Sequence, residues 1–336
     1  MKKADVVIIG AGPAGAVCAY LLKKAGVNCV VVDHAQFPRM KVCGGGLTHK
    51  AYTLLERLIP QFRYDYKPVK HIKLMMEHEE RCEFEAAHEI RVVDRKTFDD
   101  ALIKEYTKIG GEFVKDGFAR YEKQENGVMI VTMKSGKQYE CRYLVGADGA
   151  NSQVRQQAIG NYTEKLLCME QYVEEKAEAG ITVSLSPHYP NGYYYYFPSM
   201  GHDVVGYGDI QMTAEKFHDV MREWNIPENK IKGAYIPLKE VLSGNDHVIL
   251  IGDAGGFPNK ITLEGLYYAF ATGMNACKAI VQGVPFAEAN KEIFKKKKRE
   301  AFHAKMFYSR FGMSSIRLIS SNTNFVKKCF DIGVER

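Results

Sequence analysis

The fold turns on Asp5-Val6-Val7-Ile8-Ile9-Gly10-Ala11-Gly12-Pro13-Ala14-Gly15, followed one helix length later by Asn28-Cys29-Val30-Val31-Val32-Asp33. An apolar run feeding a G-x-G-x-x-G turn, a helix from about Pro13 to Ala25 and a second apolar run read as a strand-helix-strand unit. Gly10 permits the tight turn, Gly12 lets a pyrophosphate approach the backbone, and Gly15 allows close packing of helix on strand. Pro13 suits the first helical turn, where its missing N–H would be unbonded anyway, and Gly26 is a natural terminator. Asp33 stands at the spacing of an acid that accepts from a ribose hydroxyl. The unit points to a dinucleotide and by itself does not separate FAD from NAD.

A chain of 336 residues, 46% of them hydrophobic, has room for one large domain or two intimately joined ones. No apolar run is long enough to span a bilayer, and Met1-Lys2-Lys3 leads into a strand and not into a signal segment, so the expected address is cytoplasmic. The eight cysteines form no C-x-x-C pair and no zinc-type spacing, which predicts reduced thiols and no metal. The net charge of +6 is unevenly spread: Lys291, Lys295, Lys296, Lys297, Lys298 and Arg299 form a block. A solvated helix face is the plain reading, and peripheral contact with anionic lipid or a diphosphate headgroup is the sharper one. Nucleic acid is not expected, because no recognition motif accompanies the charge.

Farther along, Ala51, Leu54, Leu55, Leu58 and Ile59 recur at helical spacing, and short strands are expected between Val69 and Val93. A helix is expected from about Lys96 to Lys108. A hairpin is expected from Val128 to Val131 and from Tyr139 to Val145, joined through Ser135-Gly136. Residues from about Glu164 to Tyr235 read as β-rich and aromatic, Val248 to Ile251 as a buried strand, Leu263 to Val281 as a helix, and the tail as helical and basic.

Two later segments decide the cofactor. Tyr143-Leu144-Val145-Gly146-Ala147-Asp148-Gly149-Ala150-Asn151-Ser152 resembles the G-A-D-G-x-x-S signature of FAD-dependent hydroxylases and reductases. Val248-Ile249-Leu250-Ile251-Gly252-Asp253-Ala254-Gly255-Gly256 resembles their second G-D signature, whose aspartate holds the ribityl chain. Within that superfamily, Lys41-Val42-Cys43-Gly44-Gly45-Gly46-Leu47, Gly192-Tyr193-Tyr194-Tyr195-Tyr196-Phe197-Pro198 and Glu264-Gly265-Leu266-Tyr267-Tyr268-Ala269 resemble the geranylgeranyl reductase family. The sequence departs from that family at Tyr195, where tryptophan is usual, at Lys260 in place of proline, and at Leu263 in place of glycine.

The resemblance implies an α/β fold: a Rossmann-like FAD-binding domain (1–68, 94–163 and 246–285), an interleaved β-rich substrate domain (69–93 and 164–245) and a helical C-terminal tail (286–336). It implies FAD contacts from Gly10, Gly12, Pro13, Ala14 and Gly15, then from Asp33, His34 and Arg39, and from Cys43, Gly44 and Gly46. Arg95 would contribute its side chain and Ala119 its backbone, joined by Asp148, Gly149, Gly252, Asp253, Gly265 and Leu266. Tyr193, Tyr195, Phe197 and Pro198 would wall an apolar pocket, with strand alternation sending only every second ring inward.

The implied activity is reduction of a carbon-carbon double bond in an apolar, isoprenoid-type small molecule or lipid, the hydride coming from reduced FAD. NAD(P)H is one admissible electron donor, although no second G-x-G-x-x-G provides a dedicated domain for it. Cys43 is the candidate proton donor or positioning thiol, with a pocket tyrosine as its rival and simple packing of a glycine turn as the plain alternative. Two other functions fit the same motifs: an FAD-dependent aromatic monooxygenase, and a non-catalytic prenyl-binding protein that keeps the fold.

Overall fold

The computed structural model describes residues 1–125, 127–161, 164–176, 180–189, 191–241 and 247–335. Its centre is a five-stranded, wholly parallel sheet in the order Val248–Leu250, Tyr143–Gly146, Val6–Ile9, Cys29–Asp33, Glu112–Lys115. Every residue of Val6–Ile9 and Cys29–Asp33 is buried, as parallel strands covered on both faces require. Alternation then sorts them. Val6, Ile8 and Val31 point into a core shared with the helices Pro13–Lys24, Arg95–Lys108 and Leu266–Gln282. Val7, Ile9, Val30 and Val32 pack instead on Met129, Val131 and Met133 of a four-stranded sheet. The helices Pro13–Lys24 and Leu266–Gln282 meet backbone to backbone: a Cβ on Gly273 would lie 2.7 Å from the Ala14 carbonyl oxygen.

The aromatic middle of the chain forms an eight-stranded sheet in the order Lys232–Pro237, Lys165–Val173, Asp203–Asp209, Tyr193–Phe197, Ile181–Leu185, Lys67–Met76, Glu79–Val92, Gly46–Leu47. Ile181–Leu185 and Lys67–Met76 pair parallel, and the other pairs are antiparallel. Gly46 pairs with Val92, so the glycine-rich loop that follows Lys41 is stitched to the edge of this sheet. The α/β class with interleaved β-rich segments and a helical C-terminal region therefore holds. The boundaries placed at 163 and at 245–246 lie outside the described residues.

Two local expectations need correction. Tyr139 to Val145 is not one hairpin arm: Gln138–Cys141 pairs with Met129–Met133, whereas Tyr143–Gly146 enters the parallel sheet beside Val6–Ile9. The chain breaks at Arg142, where the N–H groups of Arg142 and Tyr143 both donate to the Asp5 carbonyl at 3.1 Å. The helix expected from Leu263 starts at Leu266, because Leu263 itself is left-handed, with φ of 55°.

The C-terminal helices are Phe286–Ala289, Lys291–Phe307, Arg310–Ile319 and Thr323–Glu335. The lysine block is not one solvated face. Lys297 is fully buried and donates to the Pro258 carbonyl at 2.5 Å and to Glu300 at 2.7 Å. Lys296 lies over the Tyr267 ring, and burial lowers its ammonium to about 8. Lys291, Lys295, Lys298 and Arg299 are exposed.

Candidate functional site

The glycine turn is shaped as its sequence demands. Gly10 has φ of 106°, and a Cβ there would sit 2.3 Å from the Ala147 carbonyl oxygen, so the first glycine motif is pressed onto the G-A-D-G segment. A Cβ on Gly15 would lie 1.9 Å from the Gly10 oxygen. Gly12 differs: with φ of −67° it needs no special backbone, and its Cβ would meet only Arg39 Nη2, at 3.5 Å. Gly12 caps the helix Pro13–Lys24 without a side-chain cap, and no acid occupies the first turn. Its N–H groups are presented to an anion, as a pyrophosphate site requires.

Asp33 holds this turn. Its carboxylate accepts from Ala11 N at 2.7 Å and from Ala35 N at 2.8 Å, which leaves acceptor capacity for a sugar hydroxyl. His34 is exposed and lies 3.4 Å from the same carboxylate. Arg39, partly buried, packs on Phe37, and its Nη1 forms an ion pair with Asp99 at 3.3 Å. Its Nη2 is the end that faces Gly12, and a cation there fits an anionic cofactor.

Other expected contacts land differently. Asp148 commits its oxygens to its own turn, accepting from Ser152 Oγ at 2.5 Å and from Gln153 N at 2.8 Å, so it starts the helix Gln153–Ile159. These bonds hold the carboxylate at the start of that helix; the adjoining Gly149, at φ of 80°, leaves its Cβ position open. Ala119 is exposed at a register shift between Phe118 and Arg120, where a strand residue is left out of regular pairing and its backbone is available. Arg95 is buried and forked onto Asp99 at 2.8 and 2.9 Å. Asp99 went unnoticed in the sequence because it reads as an ordinary helix acid.

The second glycine-bearing turn converges on the first. A Cβ on Gly252 would lie 2.9 Å from Ala14 Cβ, and one on Gly265 would lie 3.6 Å from Asp253 Oδ1. Glu264, preceding Gly265 and the helix start Leu266, accepts from Thr48 Oγ1 and pairs with Lys50 at 3.0 Å. That ties the Lys260–Leu266 segment to the end of the Cys43–Leu47 loop.

The aromatic strand splits as alternation predicts. Tyr194 stacks on Trp224, with ring centroids 4.1 Å apart, and does nothing beyond packing; Tyr196 lies in the same cluster. Tyr193, Tyr195 and Phe197 form a continuous edge-to-face row on the other side. Phe197 lies against the glycine loop: a Cβ on Gly44 or Gly46 would stand 3.1 or 2.9 Å from its ring. Pro198 is buried behind it. These residues do not line the open cleft beside Cys43, whose walls include Lys41, Cys43, Arg95, Lys96, Tyr172 and His202. Leu263 packs, as Tyr193 and Phe197 do, against the buried cluster that contains Tyr195.

One residue at this junction had no sequence signal. Glu170, in the strand Lys165–Val173, is fully buried; Oε1 accepts from Cys43 N at 3.2 Å and Oε2 from Tyr195 OH at 3.2 Å. Tyr195 OH also lies 3.2 Å from Cys168 Sγ. Burial pushes the Glu170 carboxyl up to about 7, against the opposing pull of Cys43 N, Tyr195, Lys232 and Arg95. Burial likewise pushes Cys168 up to about 12 and Tyr195 well above its ordinary value.

An uncapped helix start, an acceptor acid, a guanidinium beside Gly12 and three glycine turns pressed together fit FAD. Gly10 to Gly15, Asp33, Arg39, Gly252, Asp253 and Gly265 are the residues that would hold it. Among the described residues no His/Cys/Asp/Glu group could hold a metal, and no helix is long and apolar enough to cross a membrane.

Known proteins agree. A geranylgeranyl diphosphate reductase from Oryza sativa is 29% identical over 84% of this chain and 67% of its own length. A menaquinone reductase from Mycolicibacterium smegmatis is 29% identical over 84% of this chain and 77% of its own. A geranylgeranyl bacteriochlorophyll reductase-like protein from Thermoplasma acidophilum shares the fold, with a TM-score of 0.81 at 18% identity over 96% of this chain and 92% of its own. With the FAD binding domain model matching residues 3–175, more than half of the sequence, the chain belongs to the FAD-binding flavoproteins, as an FAD-dependent oxidoreductase similar to geranylgeranyl and menaquinone reductases.

Proposed function

We propose that the protein reduces a carbon-carbon double bond in an apolar, isoprenoid-type substrate. The observation that carries this reading is Cys43, half-buried in a cleft wall on the glycine loop, with the Arg95 guanidinium beside it and the N–H of Gly45 3.4 Å from Sγ. Reduced FAD supplies the hydride; NAD(P)H is a donor by which the flavin is recharged. The chain supplies the proton for the other carbon. A thiol can give that proton because a cation and an N–H stand ready for the thiolate it leaves. The reductase names of the relatives favour this reading over aromatic hydroxylation.

The test is anaerobic: photoreduced protein is mixed with geranylgeranyl diphosphate or menaquinone, and the product is weighed for two added hydrogens. Reoxidation by oxygen alone, with hydroxylated aromatic product, would sink the proposal. In the same assay Cys43→Ala and Cys43→Ser retain FAD, because the loop's shape rests on Gly44, Gly45 and Gly46. They slow substrate-dependent reoxidation about tenfold or more, equivalent to ~1.4 kcal/mol of barrier. Parental rates in both variants would reduce Cys43 to packing.

Peripheral contact with anionic lipid follows from the exposed side of the C-terminal helices. Lys298, Arg299 and Lys305 flank Phe302 and Met306, and the next helix carries Phe311 and Leu318 at 83% and 80% exposure. At about 1 kcal/mol per basic residue, neutralising Lys298, Arg299 and Lys305 together weakens binding to phosphatidylglycerol vesicles roughly 100-fold. Cosedimentation insensitive to both salt and these substitutions would refute the contact.

A further inference from the structure

We propose that Glu170 holds the proton that replenishes Cys43 after each reduction. This rests on the reading of the cleft as a double-bond reductase and names the group behind its proton donor. The geometry is specific: the carboxyl is sealed from solvent, one oxygen bonds to the backbone of Cys43 itself, and the other bonds to Tyr195.

The groups facing Glu170 are Cys43 and Arg95 from the cleft wall, Lys232 from the adjacent strand, Tyr195 from the next strand but one, reaching across Gly206, and Cys168 and Tyr172 from its own strand. Burial pushes Tyr172 and Cys168 each up to about 12, and Tyr195 well beyond its ordinary value, so these three keep their protons throughout the physiological range. Lys232 and Arg95 supply positive charge. Glu170, at about 7, is the member of this set that exchanges a proton at working pH, which is what an efficient acid requires.

The step balances. As one substrate carbon takes the hydride, the Cys43 S–H bond breaks and its proton forms the C–H bond at the other carbon. The Glu170 O–H bond then breaks, its proton restores the thiol, and once product has left the carboxylate regains a proton from water admitted through the Cys43 cleft. Glu170 acts through Cys43 and is a positioning and proton-holding residue.

The sign of the coupling is testable without turnover. Below about pH 6 Glu170 is neutral, and above about pH 8 its charge opposes the Cys43 thiolate. In the full FAD-bound chain carrying Cys329→Ser, which removes the exposed cysteine, Cys43 is alkylated with iodoacetamide across this range. The parent rate should bend downward from a single titration near pH 7. Glu170→Gln should lack the bend and react at least about threefold faster at high pH, the two curves meeting at low pH. Superimposable curves overturn the proposal.

Should the Gln variant fail to fold, Tyr195→Phe replaces it. Losing a hydrogen bond to the carboxylate moves the bend to higher pH, and an unmoved bend is equally fatal. In the reoxidation assay, the parent should lose rate above pH 7, and Glu170→Gln should run about tenfold slower with that inflection gone. A parent that shows the alkylation bend but reduces no prenyl substrate establishes the Glu170–Cys43 coupling and refutes the reductase reading.

Discussion

Gly12→Ala will fold like the parent and lose FAD. The contrast with its neighbours makes this informative. Gly10 has a left-handed-side φ and no room for a Cβ, and Gly15 would drive its Cβ to 1.9 Å from the Gly10 oxygen, so alanine at either position damages the fold itself. At Gly12 the backbone is ordinary, and the added methyl meets only the end of the Arg39 side chain, at 3.5 Å. Within the protein the methyl is therefore harmless. The space it fills is the approach to the uncapped helix N-terminus, where a pyrophosphate needs the backbone bare. The expected loss is about 3 kcal/mol of FAD affinity, roughly 100-fold, with the thermal midpoint of the FAD-free protein shifted by no more than a few degrees. FAD titration by flavin fluorescence beside a melting curve separates the two effects. Undiminished FAD binding in the variant would mean that the cofactor's phosphates lie elsewhere.

What was readable in the sequence follows the range of the interactions. The turn from Gly10 to Gly15 and its acid Asp33 are local, and a strand-turn-helix grammar reveals them directly. The two-faced row of Tyr193, Tyr195 and Phe197 is equally local, since alternation is a property of a single strand. Glu170 is different. In Leu167-Cys168-Met169-Glu170-Gln171 it looks like one more polar residue of a strand, and its partner Cys43 lies 127 positions away, brought to it by the tertiary folding of the eight-stranded sheet. Lys297 was hidden for the same reason: its neighbours in sequence are lysines, but its partners are Pro258 and Glu300 in the packed interior. Asp148 carries a local role that the motif alone does not announce: its carboxylate accepts from the first N–H groups of the helix that follows. Stability adds a consequence for Glu170. With its folded value raised to about 7, the folded state retains a proton that the unfolded chain has released. Stability contributed by the neutral form is therefore complete below the ordinary glutamate range and is lost as pH rises toward 7.

Leu263→Gly should leave stability within about 1 kcal/mol of the parent while raising the rate of reoxidation by a bulky prenyl substrate roughly tenfold. Leu263 occupies a family glycine position and keeps a glycine-like φ of 55°, so the leucine is carried on a backbone that costs about 1 kcal/mol. The turn is fixed by Asn259, whose Oδ1 accepts from Ile261 N at 2.8 Å and Thr262 N at 2.9 Å, and Tyr193 donates to the Thr262 carbonyl. With the backbone so held, the side chain packs against the cluster around Tyr195 that Tyr193 and Phe197 also border. Glycine relieves the strain but forfeits about 1 to 2 kcal/mol of partial burial and backbone entropy, and the terms nearly cancel. Alanine forfeits most of the burial and keeps the strain, so Leu263→Ala should be the least stable of the three, by about 1 to 2 kcal/mol. That order in urea unfolding, with both variants faster than the parent on long prenyl chains, identifies Leu263 as the residue that limits access to the aromatic row. If Leu263→Gly gains stability but no rate, the leucine is merely strained, and the substrate approaches from the Cys43 cleft without crossing it.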